Sequence, residues 1–362
     1  MRINPGLQVL SIVEGTIQIG TGQRARWITG LDPAEQQFVL SLSGREPVGG
    51  PTEAPALPPE RQNAILSVLR PVLIEPAADA PPSPGSSVAP ADASSEASSG
   101  AAATARATAD GPGSSRLAPD ILQWSAAYEL DAGPVLRKRA DARVAIHHLG
   151  RTGQMLAGIL AASGIGSLLL CDAERMQLED LGAATTGINT VGQLRTRAAS
   201  RALAQTYPRL TLAETARRGP DAAPVDLAVV IAGGLLPDLG LLPQDDRLLP
   251  VLFTDAGVRI GPLVIPGLTM CDACAWEQCD PTLRIVPTGG HLGRRHPVRP
   301  EASLAATAAG TAATQILMAL DEVNVPAAAE AMILVDLATG ATRQVPARQR
   351  PGCTCLDGQE AA

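Results

Sequence analysis

The chain has 362 residues, a formal net charge of −7 and 45% hydrophobic residues. That length suits two domains, and the acidic balance argues against a general nucleic-acid binder, which needs a basic surface. Three Trp, two Tyr and two Phe are all its aromatics, so Ala, Val, Leu and Ile must do most of the packing.

From the N-terminus, Met1-Arg2-Ile3-Asn4-Pro5 lacks the apolar run of a signal peptide. Two uncharged stretches, Gln154–Cys171 and Ala302–Leu320, are poor membrane spans. Ser163-Gly164-Ile165-Gly166 breaks the first, and the second is mostly Ala, Thr and Gly. The expectation is a cytoplasmic protein without membrane contact, where paired cysteines mean metal more often than disulfide.

The first 75 residues read as a small α+β module. Thr16-Ile17-Gln18-Ile19 alternates polar and apolar, and Glu14-Gly15 before it suits a turn, so Leu7–Ile19 is predicted as a hairpin. Asp32-Pro33-Ala34-Glu35 has a cap residue, a first-turn proline and a glutamate three residues after the cap. The helix it starts would bury Phe38, Val39 and Leu42. A second helix over Pro59–Leu69 would bury Ile65, Leu66 and Leu69. Strands plus two helices at this size predict a winged-helix-like module.

From about Glu75 to Ser115 the chain is Ala, Ser, Pro, Gly and Asp with almost no large apolar residues. Such a tract cannot bury enough surface to offset the entropy of ordering, so residues 76–116 are expected to be a flexible linker. Beyond it, in residues 117–362, helices are predicted at Asp120–Leu130, Gln154–Ala162 and Val191–Gln205. Strands are predicted at Arg143–His148, Ser167–Cys171, Leu210–Ala213, Asp226–Ile231 and Pro250–Phe253. The alternation predicts an α/β fold with a doubly wound, Rossmann-like, mostly parallel sheet.

Val144–Gly153 runs from strand into helix. Gly150 and Gly153 match the second and third glycines of a dinucleotide loop, His148 stands at the first, and Arg151 lies between them. Asp172 ends the next strand, where an acid could hold a ribose hydroxyl. His148 could touch a ligand at the loop mouth; a nucleotide-free core is the plainer alternative.

Here a resemblance enters. Gly164-Ile165-Gly166-Ser167-Leu168-Leu169-Leu170-Cys171-Asp172, Asp180-Leu181, and Val191-Gly192 leading into an Arg-rich helix resemble ThiF and the ubiquitin-activating superfamily. Gly261-Pro262-Leu263-Val264-Ile265-Pro266-Gly267, Cys271-Asp272-Ala273-Cys274 and the closing Pro351-Gly352-Cys353-Thr354-Cys355 extend the likeness from Val144 to Cys355. Within that superfamily the chain is similar to actinobacterial ThiF-like and cyclodehydratase-type proteins of modified-peptide biosynthesis. Some of these carry an N-terminal peptide clamp, a role residues 1–75 could take.

The resemblance implies activation of a peptide or small-protein carboxylate as an acyl-adenylate, with ATP and magnesium, and a homodimer by analogy. Asp172 matches the ribose acid, and Arg195 stands where the superfamily has a phosphate-binding Lys. The expected Arg near Gly182–Thr186 and the metal-holding Asp near Gly233-Gly234 have no counterpart, and neither Arg151 nor Asp238 has the spacing to replace them. That erosion predicts no efficient adenylation. The preferred reading is a catalytically degenerate homologue that binds a peptide and presents it to a partner enzyme. An active adenylyltransferase is the alternative, and a nicotinamide-dependent oxidoreductase the third.

Cys271, Cys274, Cys353 and Cys355 are predicted to bind one zinc ion. Cys279 could be an acyl acceptor, though an extra loop thiol is the simpler account. Cys171 reads as a core residue, and Trp124 and Trp276 as packing anchors. Arg294, Arg295, His296 and Arg299 form a basic patch read as a solvated loop.

Overall fold

The computed structural model describes residues 1–7, 9–20, 25–43, 57–75, 116–182, 186–233, 246–277 and 298–356. The expected linker at 76–115, Gly234, Asp238, Cys279 and residues 294–296 lie outside them. The chain divides into two compact units, Met1–Arg137 and Lys138–Ala362.

In the first unit the hairpin is β2 (Val9–Val13) with β3 (Thr16–Ile19), and β4 (Arg26–Thr29) adds a third antiparallel strand. A short pair, β1 (Arg2–Ile3) with β5 (Leu73–Ile74), closes the unit. Helix α1 (Pro33–Ser41) starts at Asp32 with a complete capping box: Asp32 accepts from the Glu35 N–H, and the Glu35 carboxylate from the Asp32 N–H. Helix α2 spans Pro59–Leu69. Ile3, Ile17, Ile19, Val39, Ile65 and Leu69 form the core. Phe38 and Leu42 are only partly buried against it, because α1 turns Val39 inward.

Helix α3 (Ala118–Tyr128), grouped by the sequence pattern with the later residues, belongs to the first unit. The Asn4 amide donates to the Ser125 carbonyl, and Arg2 pairs with Asp131 at 2.7 Å. Gly6 allows close approach, since a Cβ there would meet the Leu122 carbonyl at 2.0 Å. Trp124 lies 4.8 Å from Tyr128, ring centre to ring centre, the packing role expected of it. Helix α4 (Gly133–Lys138) follows.

The second unit is built on an eight-stranded sheet in the order β13-β12-β11-β10-β9-β6-β7-β8. Strands β6 (Arg143–His147), β7 (Ser167–Cys171), β8 (Thr211–Thr215), β9 (Leu227–Gly233) and β10 (Leu248–Thr254) are parallel. Three antiparallel strands, β11 (Gly257–Ile260), β12 (Ala331–Asp336) and β13 (Thr342–Pro346), extend the β10 edge. The apolar run after Gly261 is not a strand: β11 ends at Ile260, Gly261 takes φ +80°, and Val264 makes a single bridge to Leu248.

Helices α5 (Arg151–Ala162) and α6 (Arg195–Thr206) follow β6 and precede β8, and α7 (Asp272–Glu277) is short. Helix α8 (Ala302–Asp321) packs against α5, β10 and β11, and α9 (Ala327–Glu330) leads into β12. Among the described residues α8 is the one helix long and apolar enough to cross a membrane. Its face of Leu304, Ala305, Ala308, Ala309, Ala312 and Ala313 is buried. Alanine keeps side chains short, so helices approach closely and core density does not depend on aromatics. Arg139 and Asp321 form a fully buried ion pair beneath this layer.

Candidate functional site

The chain runs from β6 outward through β7 to β8, then returns to the other side of β6 as β9. Open α/β sheets bind ligands at such a reversal, beyond the strand ends. A cleft of about 240 Å³ lies there, lined by His148, Gly150, Arg151 and Thr152 on one side and Ile231–Gly233 and Phe253 on the other.

The glycine positions are explained by contact. A Cβ on Gly153 would meet the His148 carbonyl at 2.2 Å, so only glycine lets α5 pack on the strand it leaves. A Cβ on Gly150 would lie 3.0 Å from His148 Nε2. His148 adopts φ +74°, the left-handed conformation that its place in the loop demands and that glycine takes without strain. Gly150 caps α5 without a side chain, so no side-chain oxygen occupies the first N–H groups, which favour an anion. Burial pushes the His148 imidazole below its usual range, against the opposing pull of Asp172.

Asp172 and Arg195, expected to meet ribose and phosphate, are committed to the protein itself. Asp172 is buried and accepts from the Leu149 N–H at 2.7 Å and the Glu174 N–H at 2.8 Å, tying the two strand ends together. It does not line the cleft; the exposed Glu174 does. Arg195 is 2% exposed and forks onto Asp180 with two bonds of 2.9 Å, while pairing with Glu174 and approaching Asp172 at 3.5 Å. Its charge is spent on three carboxylates.

Gly233, at the place of the expected metal-holding Asp, faces the Val298 carbonyl, which a Cβ would meet at 2.0 Å. A carboxylate cannot stand there in this arrangement. Val298, Arg299 and Pro300 cross the cleft instead. Arg151 donates to the Leu181 and Pro300 carbonyls at 3.2 Å each, and Arg299 pairs with Glu179. Arg299 therefore belongs to the cleft and not to a solvated loop. Sequence reasoning missed Thr152, Glu174 and Glu179 here as well; the fold brings them and the 298–300 segment to one cleft with the glycine loop.

His147 does not line the cleft, and its Nε2 is buried without a hydrogen-bond partner. Burial, reinforced by Arg218, holds it down at about 4. Cys171 is buried and its thiol is pushed up to about 12, as befits an inert core residue.

The four predicted cysteines come together. One ligand atom from each of Cys271, Cys274, Cys353 and Cys355 lies within 4.8 Å of the others. Cys271 and Cys353 sulfurs are 3.8 Å apart, and so are those of Cys274 and Cys355. Four sulfurs at about 2.3 Å from a central zinc ion form a tetrahedron with edges of about 3.8 Å. A disulfide requires about 2.05 Å. Gly352, at φ +76°, makes the turn that lets Cys353 and Cys355 face one point. The Cys271 N–H donates to Cys355 Sγ at 3.5 Å and the Arg350 N–H to Cys274 Sγ at 3.4 Å, the kind of support a thiolate needs. The donor set and spacing fit a tetrahedral metal ion.

No family model matches the chain, and no curated protein matches it in sequence. Solved structures do. E. coli MccB with ATP aligns at TM-score 0.68 and 16% identity, over 98% of each chain. MccB with AMPCPP and MccA aligns at 0.68 and 15%, again over 98% of each. PaaA aligns at 0.56 and 15%, over 67% of this chain and 85% of its own. With an eight-stranded Rossmann-like sheet and this likeness over nearly its whole length, the chain shares the fold of MccB.

Proposed function

We propose that the chain is a ThiF-type adenylyltransferase that uses ATP on the carboxylate of a peptide, with the first unit supplying peptide affinity. The observation that carries the reading is the extent of the likeness. MccB, crystallised with ATP and with MccA, matches this chain over 98% of its length and not over the Rossmann sheet alone. In the reaction a carboxylate oxygen attacks the α-phosphorus and pyrophosphate leaves, so two anions must be held together by cations. The uncapped α5 N-terminus, Arg151 and Arg299 bring positive charge to one cleft, which Glu174, Glu179 and Asp180 also line. Cys271, Cys274, Cys353 and Cys355 hold a structural zinc, by their tetrahedral spacing.

Two observations favour a second reading, a degenerate homologue that presents a peptide to a partner enzyme: Gly233 has no room for a carboxylate, and Arg195 is neutralised. The likeness to MccB weighs for turnover over that reading. ATP–pyrophosphate exchange with short peptides decides. Exchange above background supports the adenylyltransferase; ATP binding without exchange leaves the presenting protein.

A further inference from the structure

The places where the resemblance expects phosphate-binding cations are unarmed or locked, yet three other groups converge on the same cleft. Thr152 lines it at the second residue of α5, is 2% exposed, and its Oγ1 has no hydrogen-bond partner. A buried hydroxyl without a partner is costly unless a ligand completes it. Arg151, one residue earlier, lines the same wall, held by two carbonyls that leave its charge uncompensated by them. Arg299 lines it from the 298–300 segment. Its Glu179 partner is half exposed, as is Arg299 itself at 44%. Such an exposed pair is weak and exchanges readily for a stronger anion.

We propose that Thr152, Arg151 and Arg299 form a relocated phosphate-binding set for a nucleoside polyphosphate, with Arg299 giving up Glu179 for a phosphate oxygen. This rests on reading the cleft as a nucleotide site. In that exchange no bond is made or broken covalently; Glu179 is released to solvent. Glu179 is thus a competitor of the ligand, and its removal has the opposite effect to removal of Arg299. A merely structural latch would respond the same way to loss of either partner.

The test is calorimetry on the full chain with ATP and, separately, inorganic tripolyphosphate, with thermal melts confirming that each variant is folded. Arg299→Ala weakens ATP about tenfold or more, the value of one charge-assisted hydrogen bond. Thr152→Val weakens it by a smaller factor, and Glu179→Gln tightens it. ATP binding unchanged in Arg299→Ala and Thr152→Val, or weakened equally by Arg299→Ala and Glu179→Gln, overturns the proposal and leaves the nucleotide reading standing. Tripolyphosphate binding that is lost in Arg299→Ala, with ATP no tighter than tripolyphosphate, keeps the phosphate set and removes the nucleotide reading. No binding of either removes both.

Discussion

Replacing Cys353 and Cys355 by serine removes two of four thiolates from the proposed zinc site. Cys271 and Cys353 are 82 residues apart in sequence and 3.8 Å apart at their sulfurs, so one metal ion closes a long loop. By the chain-entropy treatment of a cross-link, closing a loop of that size restrains the unfolded chain by about 4–5 kcal/mol. For a unit of this size that corresponds to a fall in melting temperature on the order of 10 °C. The site also has an electrostatic reason to need a cation. Hydrogen bonds from the Cys355 backbone and thiol draw Cys353 down to about 6, while burial pushes Cys274 up to about 12. A metal ion resolves that conflict by taking all four as thiolates, releasing protons as it binds. Elemental analysis is expected to find one zinc per chain in the wild type and none in the double variant. A chelator should lower the wild-type melt to that of the variant, and acidification should release the metal. A well-folded, metal-free wild type, or a double variant that melts with the wild type, would refute the reasoning.

Two further outcomes follow from single contacts. Gly233→Asp restores the acid that the resemblance expects, yet its Cβ collides with the Val298 carbonyl. It should cost about 1–3 kcal/mol in urea denaturation and add no pyrophosphate exchange; a stable variant with raised exchange would show that the segment yields freely. His147 is held near 4 when folded, below the ordinary histidine value, so the unfolded chain binds the extra proton between them. Its contribution is complete above about pH 6.5 and lost as pH falls towards 4, by at most about 3 kcal/mol. His147→Gln should flatten that stretch of the stability curve, and an unchanged slope would assign the effect to other groups.

Local rules were enough wherever the chain's neighbours decide its conformation. The Asp32 capping box, helix α2 over Pro59–Leu69 and strand β7 over Ser167–Cys171 stand where spacing and apolar runs put them. The glycine loop was legible for the same reason, since Gly150 and Gly153 answer to contacts with His148 a few residues away. The tetracysteine cluster was legible across the sequence separation of 81 from Cys274 to Cys355 because thiols at such spacings have few other uses. The antiparallel extension β11–β13 was not, because its strands pair with distant partners and carry weak alternation. The working of the cleft depended most on tertiary structure. Asp172 and Arg195 occupy the expected positions, but whether a charge faces solvent or a buried counter-ion is set by what packs over it. Here Asp180 and Glu174 claim Arg195, while the 298–300 segment brings Arg299 from far along the chain to the cleft. Sequence spacing identifies which residues are near a loop; only packing decides which of their charges remain free to bind.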